Sequence, residues 1–224
     1  MYDQIKNTAL FNMDETIANE IFEDTTYPWE VLSKIKDFLP KLGESLSEEE
    51  YDHPQEEVWI AKSAKIAPNV TIAGSCIIGK NTEVRPGAFI RGNAIVGENC
   101  VVGNSTELKN VLLFNNVQVP HYNYVGDSIL GYKSHMGAGS ITSNVKSDKT
   151  NVTIRYQGEV IETGLRKMGA ILGNYVEIGC NSVLNPGSII GSNSNVYPLS
   201  MIRGFVPKGS IYKRQGEIVS KKLD

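Results

Sequence analysis

"CIIGKNTEVRPGAFIRGNAIVGENCVVGNSTEL", residues 76–108, places an aliphatic residue at every sixth position. Two positions before each of them stands a small or β-branched residue, and residues two apart on a strand point the same way. Both sets are therefore predicted to face one interior. The aliphatic positions before the first break are Ile60, Ile66, Ile72, Ile78, Val84, Ile90, Val96, Val102 and Leu108. The period resumes at Leu172, Ile178, Leu184, Ile190, Val196 and Ile202.

A period of six predicts a parallel β-helix, in which three six-residue sides close one coil and successive coils stack about 4.8 Å apart. Residues 18 apart then become vertical neighbours. The repeats predict roughly seven coils, with an excursion between Asn144 and Lys167. Within it, "NVTIRYQGEVIETG" (151–164) predicts a protruding hairpin that turns at Gln157 and Gly158. This hairpin could cover a cleft, embrace a neighbouring subunit or stand in solvent.

These patterns divide the chain into three segments. Residues 1–55 are predicted as a helical cap with an acidic linker, because "YPWEVLSKIKDFLPKL" has helical apolar spacing and "GESLSEEEYDHPQEE" is acidic. Residues 8–22 also look helical. Residues 56–212 form the β-helix, with the loop or hairpin at about 145–167, and residues 213–224 form a C-terminal tail. The fold class is all-β with a small helical N-terminus.

The 18-residue spacing also predicts an apolar stripe on one outer face, formed by Trp59, Ile77, Ile95 and Leu113. An apolar stripe left in water usually marks an interface, so we expect self-association through it. The alternative is that the N-terminal segment covers it.

Charge and cysteine content narrow the function classes. The 22 basic and 25 acidic residues are mixed and give a net charge of −3, which provides no field for nucleic acid and no basic membrane anchor. No apolar run has the length of a membrane span and no signal peptide is recognisable, so we expect a cytoplasmic protein with small-molecule partners. Cys76, Cys100 and Cys180 lack CxxC spacing and are expected to be small core or corner residues.

The stretch "VPHYNYVGDS", residues 119–128, interrupts the period with polar and aromatic residues. If the register continues past Leu108, the aliphatic positions become Phe114, Pro120 and Gly126. His121 and Asp127 then occupy corners, from which side chains can project into a cleft. Arg85 is placed on the corner of His121.

The same register stacks Arg91, Lys109 and Asp127 on one corner. Two stacked cations repel each other unless an anion lies between them, so a phosphate is one expectation. A column of salt bridges ending in Asp127 is the alternative.

Several motifs together resemble the C-terminal acetyltransferase domain of bifunctional N-acetylglucosamine-1-phosphate uridyltransferase/glucosamine-1-phosphate acetyltransferases. They are "IRGNAIVG", "GNSTELKN", "VPHYNYVGDS", "HMGAGSITSN" and "TGLRKMGAILGNYVEIGCNSVLNPGSIIG", and the resemblance covers residues 56 to about 212. It implies a left-handed β-helix, an exception to the right-handed crossover rule, and a homotrimer with sites between subunits. Residues 1–55 contain no glycine-rich phosphate loop, so uridyl transfer is not expected.

The resemblance also assigns roles to residues and implies acetyl-CoA as co-substrate and an amino-sugar phosphate as acceptor, with no metal. His121 would be the general base, which suits imidazole because an amino sugar must lose a proton before it attacks a thioester. The other catalytic positions would be Tyr124 and Asn144. Acceptor contacts would come from Arg91, Lys109, Arg85, His135 and a lysine after Asn144, either Lys149 or Lys146. Acetyl-CoA contacts would come from Ala138, Cys180 and Arg203.

Other readings stay open. His135 stands where the family has asparagine, Cys180 where it has serine, and the His121 ring could instead be bonded to Asp127 or to backbone. A protein that binds sugar nucleotides without catalysis, or an acyltransferase for a nucleotide-linked amino sugar, would fit the same motifs. A zinc site of three histidines on a β-helix, as in γ-type carbonic anhydrases, is disfavoured because the chain has only three histidines, one of them (His53) in the acidic linker.

Overall fold

The computed structural model describes residues 2–214 and 216–221. Three short α-helices begin the chain: α1 (Asn7–Leu10), α2 (Pro28–Leu32) and α3 (Ile35–Glu44). Short 3-10 turns cover Asp3–Ile5, Met13–Glu15 and Asn19–Phe22. The strands are β1 (Tyr51–Gln55), β2 (Val58–Ala61), β3 (Lys65–Ile66), β4 (Thr71–Ile72), β5 (Cys76–Ile78), β6 (Glu83–Val84), β7 (Phe89–Ile90), β8 (Ala94–Val96), β9 (Val101–Asn104), β10 (Glu107–Leu113), β11 (Gln118–His121), β12 (Tyr124–Leu130), β13 (His135–Met136), β14 (Ile141–Thr142), β15 (Thr153–Tyr156), β16 (Glu159–Glu162), β17 (Ala170–Leu172), β18 (Glu177–Ile178), β19 (Val183–Leu184), β20 (Ser188–Ile190), β21 (Asn195–Val196), β22 (Met201–Ile202), β23 (Phe205–Val206), β24 (Ser210–Arg214) and β25 (Glu217–Ser220).

Apart from the hairpin strands β15, β16 and β25, the strands from β2 onward stack in parallel on three sides, which confirms the predicted β-helix. The first side contains β2, β5, β8, the ends of β10 and β12, β17, β20 and β23. The second side contains β3, β6, β9, β11, β13, β18, β21 and β24. The third side contains β4, β7, the starts of β10 and β12, β14, β19 and β22. Small and β-branched residues fill the interior with the aliphatic ones, as the six-residue period requires.

The register departs from the prediction after Leu108. Phe89 lies opposite Glu107, 18 residues on, but Leu108 lies opposite Val125, only 17 residues on. The turn from Leu108 to Val111 has two residues, whereas the turn one coil earlier, from Ile90 to Ala94, has three. The inward aliphatic positions are therefore Leu113, Val119 and Val125, and the predicted positions Phe114, Pro120 and Gly126 are wrong.

The outer stripe of the first side is covered within the chain. Ile77 and Ile95 have no exposed surface and Trp59 is 7% exposed, because α3 packs over β5, β8 and β10 and α2 packs on β12. The prediction of self-association through this stripe is wrong, and the alternative, cover by the N-terminal segment, is correct. The register shift also replaces Leu113 in the stripe by Leu112, which lies opposite Ile95.

The cap is helical where its apolar spacing is regular. Residues 27–42 contain α2 and most of α3, and Glu30 accepts hydrogen bonds from the backbone amides of Thr26 (2.7 Å) and Tyr27 (3.0 Å) at the start of α2. Residues 8–22 contain only the end of α1 and two 3-10 turns. The predicted linker is partly a strand, because β1 pairs antiparallel with β2. No helix among the described residues is long and apolar enough to cross a membrane.

The excursion forms the predicted hairpin, β15 and β16, whose turn residues Gln157 and Gly158 have φ of 49° and 88°. It does not stand clear of the β-helix: Ile154 is buried and the Tyr156 ring lies 5.0 Å from the Phe205 ring. Hydrophobic residues on one face of the hairpin hold it against the first side. The predicted tail is also a hairpin, β24 with β25, although Gln215 and residues 222–224 lie outside the described residues.

Candidate functional site

His121 ends β11 on the corner that joins the second side to the third. Its side chain is exposed, and no described residue hydrogen-bonds to the imidazole. The backbone is held on both sides: His121 N donates to Asn123 Oδ1 (3.1 Å) and Gly139 N donates to His121 O (3.0 Å). The corner thus presents a free ring on a fixed backbone. The alternative bond to Asp127 is not formed.

Asn123 anchors this corner from inside, and sequence reasoning missed it. Its side chain is buried, and Nδ2 donates to the carbonyls of Gly137 (2.9 Å) and Ser140 (3.0 Å) in the next coil. Tyr122, between the two, has a φ of 52° and is 64% exposed. The signal was available: Asn123 occupies the inward position held by Thr106 one coil earlier, where a polar residue needs buried partners.

The column through His121, here called the histidine corner, contains Asn104 below it and Ala138 and then Cys180 above it. The structure thus brings together three predicted site residues, His121, Ala138 and Cys180. Cys180 is exposed while Cys76 and Cys100 are buried, which confirms the expected corner and core positions.

Arg85 was predicted on this corner, but the structure places it one position away. It follows Val84, which pairs with Val102, so Arg85 lies level with Gly103 rather than with Asn104. Its guanidinium Nε is 3.1 Å from Glu83 Oε1. Arg85, which directly follows β6, therefore has an acidic partner in that strand.

His135 lies in the middle of the second side and faces outward. Its Nδ1 is 2.8 Å from Oε2 of Glu177, the residue directly above it, so the carboxylate orients the ring. His135, Glu177 and Cys180 line one shallow cleft of about 430 Å³. Sequence reasoning did not single out Glu177.

A second polar cluster lies on the corner between the third and first sides, and Asp127 is its centre. The buried Asp127 carboxylate accepts hydrogen bonds from Lys109 Nζ (3.1 Å to each oxygen), Asn110 Nδ2 (3.0 Å) and Asn144 Nδ2 (2.5 Å). Because of the register shift, Gly126 and not Asp127 lies opposite Lys109. Asp127 is the next residue after this position, and its side chain extends back to Lys109.

The column through this cluster, here called the lysine corner, contains Arg91, Lys109, Gly126, Ser143, Asn185 and Arg203. Both lower cations have acidic partners, since Arg91 Nη1 also lies 2.9 Å from Glu107 Oε1. Within one chain, these contacts form the column of salt bridges that was the alternative to a bound phosphate. Phosphate contacts by Arg91 and Lys109 stay a prediction.

Tyr124 lies on the third side, between the two corners. Its hydroxyl accepts a hydrogen bond from Asn144 Nδ2 (3.2 Å). Burial raises the pKa of Tyr124, and the nearby negative charges of Asp127 and Glu107 raise it further. The phenol is therefore protonated at neutral pH and available as a hydrogen-bond donor.

Arg203 does not join Ala138 and Cys180, so the predicted acetyl-CoA set is divided between two corners. Arg203 instead lines a cleft of about 450 Å³ beside the inserted hairpin. Lys146 also lines this cleft, whereas Lys149 does not, which separates the two lysines that the sequence left open.

One chain thus carries two groups of site residues on opposite edges of its third side. Five residue steps, as from His121 to Gly126, separate the two columns, which along an extended strand would span roughly 16 Å. His121 and the cations Arg91 and Lys109 therefore lie on different corners of one chain. Among the described residues, no three histidine, cysteine or carboxylate side chains are grouped to hold a metal ion.

The six-residue repeat, the three-sided β-helix and its polar corners define a hexapeptide-repeat protein. The chain belongs to the GMPPB C-terminal domain family, whose model matches residues 72–185. This membership confirms the resemblance to hexapeptide-repeat acyltransferases at the level of the family.

Two of the proteins to which this chain is similar are archaeal. The chain is 35% identical over 220 residues to the bifunctional protein GlmU of Methanococcus maripaludis, covering 90% of this chain and 49% of that protein. It is 33% identical over 112 residues to a bifunctional sugar-1-phosphate nucleotidylyltransferase/acetyltransferase of Sulfurisphaera tokodaii, covering 50% and 28%. A hexapeptide transferase family protein from Anaplasma phagocytophilum, of solved structure, is 18% identical with a TM-score of 0.40, covering 75% and 80%. The chain spans about half the length of the GlmU relatives it matches.

Proposed function

We propose that this chain transfers an acetyl group from acetyl-CoA to the nitrogen of an amino-sugar phosphate such as glucosamine-1-phosphate. The observation that carries the proposal is the exposed, unbonded imidazole of His121 on a corner whose backbone is fixed by Asn123. An acetyltransferase named for sugar-1-phosphates among the relatives supports the same chemistry.

In this mechanism the base is His121. The imidazole removes a proton from the ammonium form of the acceptor, and the freed nitrogen lone pair attacks the thioester carbonyl carbon. A tetrahedral intermediate forms, its oxyanion is stabilised by backbone N–H donors, and its collapse breaks the C–S bond. The CoA thiolate leaves and takes up one of the two protons that the ammonium nitrogen loses, and the other passes from His121 to solvent, so no covalent acyl-enzyme is needed. Holding both substrates together supplies much of the rate enhancement.

Tyr124 and Asn144 would position the acceptor from the third side. The protonated Tyr124 phenol can donate to a phosphate or carbonyl oxygen, while Asn144 Nδ2 already donates to Tyr124 and to Asp127. Asn144 therefore links Tyr124 to the lysine corner through hydrogen bonds, so a displacement of one would displace the other.

The complete site is proposed to form between subunits of a homotrimer. His121 and Lys109 lie on different corners, and neither the second nor the third side is covered by the N-terminal segment, which packs on the first side. A neighbouring copy could therefore present its lysine corner, with Arg91 and Lys109, to the histidine corner of this chain. A phosphate there would compete with Asp127 and Glu107 for the cations.

The test is acetyl transfer by the purified chain, followed as release of free CoA thiol, with glucosamine-1-phosphate as acceptor and acetyl-CoA as donor. Light scattering should give three times the mass of one chain. Acetylation of a nucleotide-linked amino sugar in its place would keep the reaction and change the acceptor. If no amino sugar is acetylated and none binds, the enzyme proposal fails.

A further inference from the structure

A cleft lies between the inserted hairpin and the lysine corner. It has a volume of about 450 Å³. Charged and polar side chains from both elements line it, among them those of Ser143, Lys146, Asp148, Arg155 and Arg203. The β-helix contributes one wall and the hairpin the other, so the insertion of residues 144–167 creates the cleft.

The cleft is basic although the chain as a whole is acidic. Three of its lining residues are cations and one, Asp148, is an anion. The Asp148 carboxylate is occupied by its own loop, because it accepts bonds from the backbone N (3.0 Å) and Oγ1 (2.8 Å) of Thr150. Lys146 also belongs to this loop, with Nζ 2.6 Å from Thr150 Oγ1. The guanidinium groups of Arg155 and Arg203 have no carboxylate partner among the described residues.

The fold brings these two arginines to the same place. Gly204, next to Arg203, lies so close to the hairpin that a Cβ on it would come within 2.8 Å of the Arg155 carbonyl oxygen. Gly204 also has a φ of 82°, a conformation that favours glycine. Close backbone approach at this glycine therefore seats Arg155 beside Arg203. Two unpaired guanidinium groups facing one cleft repel each other unless an anion lies between them.

We propose that this cleft binds a phosphate-bearing ligand, with Arg155 and Arg203 as its two guanidinium contacts. Guanidinium groups bind phosphate oxygens through paired N–H donors, and the hydroxyls of Ser143 and Ser147 and the amide of Asn185 provide neutral donors in the same cleft. The hairpin is thereby a binding element. The inference rests on the proposed function only for the source of the phosphate, which would be acetyl-CoA or the amino-sugar phosphate. Binding of a phosphate group requires no acetyl transfer.

The experiment is titration calorimetry of the full chain with inorganic pyrophosphate at low ionic strength. A lost charge-assisted hydrogen bond pair should weaken binding about 10- to 100-fold in Arg155→Gln and in Arg203→Gln. Arg166→Gln is the matched control, because it removes the same charge from the same insertion but lies outside the cleft. Equal affinity of Arg155→Gln and the parent chain, or an equal loss in Arg166→Gln, would overturn the proposal.

Two further titrations identify the source of the phosphate. Weaker binding of CoA by Arg155→Gln assigns the cleft to the acetyl donor, and weaker binding of glucosamine-1-phosphate assigns it to the acceptor. Unchanged affinity for all three probes refutes the site. Binding is measured without turnover, so the two proposals can fail separately. If the chain is inactive but binds pyrophosphate through Arg155, the phosphate site stands and the proposed enzyme activity fails. If the chain is active but Arg155→Gln binds normally, only the phosphate site fails.

Discussion

The N-terminal cap packs on Trp59, and this contact predicts that Gly43→Ala destabilises the chain, although glycine-to-alanine changes in a helix usually stabilise it. Gly43 lies in α3, where alanine would normally gain up to about 1 kcal/mol. A Cβ on Gly43, however, would overlap the Trp59 indole ring. The ring cannot retreat easily, because His53 stacks on it with centroids 4.8 Å apart and planes 5° apart.

The magnitude follows from two opposed effects. Overpacking a tightly filled contact costs about 1–3 kcal/mol, and the gain in helix propensity offsets up to about 1 kcal/mol of that. We therefore expect Gly43→Ala to lower the free energy of unfolding by about 1 kcal/mol. In a Trp59→Leu background the clash is absent, and the same substitution should be neutral or stabilising by up to about 1 kcal/mol.

Urea unfolding followed by circular dichroism of the four chains, parent, two single variants and the double variant, measures the coupling directly. Gly43→Ala more stable than the parent chain would refute the described packing of α3 on the first side. So would equal effects of Gly43→Ala in both backgrounds.

The other predictions concern buried groups. Asp127→Asn should cost about 2–4 kcal/mol of unfolding free energy in urea, because it leaves a charged donor without its buried carboxylate; a loss below about 0.5 kcal/mol would contradict the cluster. Asn123→Ala should lower kcat more than it raises KM, because it removes the side-chain hydrogen bonds that hold the backbone of the histidine corner. An unchanged kcat would contradict its positioning role. Burial raises the pKa of Cys76 and of Cys100 to about 12, so a native thiol titration at pH 8 should count only Cys180, and three thiols after denaturation. The pKa of each buried thiol is higher in the folded chain than in the unfolded chain, so the contribution of these thiols to stability is complete below about pH 8.5 and is lost as the pH rises toward 12. The free energy of unfolding should therefore be lower at pH 10 than at pH 7.

The fold was largely predictable because the six-residue period is a direct consequence of how a β-helix closes. The period gives sides and interior positions, but not how many residues turn each corner. The two-residue turn after Leu108 therefore displaced the predicted positions of Phe114, Pro120 and Gly126 by one. The prediction that the stripe through Trp59 and Ile77 is buried was correct, but the expected partner, a second copy of the chain, was wrong. The docking of separate helices leaves no periodic pattern in the sequence from which it could be predicted.

The candidate site was predictable in composition and less so in arrangement. Motifs identified His121, Lys109 and Asn144, and the structure places each on a corner. They did not show that Arg203 faces the hairpin instead of Cys180, because that depends on how the insertion folds back. Partners such as Asn123 and Glu177 were missed because each is an ordinary polar residue whose role comes from the neighbouring coil.

We propose that the unbonded imidazole of His121 on the histidine corner serves as the base for acetyl transfer. The direct measurement is the rate of CoA thiol release with glucosamine-1-phosphate and acetyl-CoA, compared for the parent chain, His121→Ala and the control His53→Ala, whose ring stacks on Trp59. General-base catalysis contributes about 10²–10⁴-fold, so His121→Ala should lose at least about a hundredfold in kcat while the assembly keeps its mass and His53→Ala keeps its rate. A His121→Ala chain that acetylates at a rate within tenfold of the parent would show that His121 is not the base.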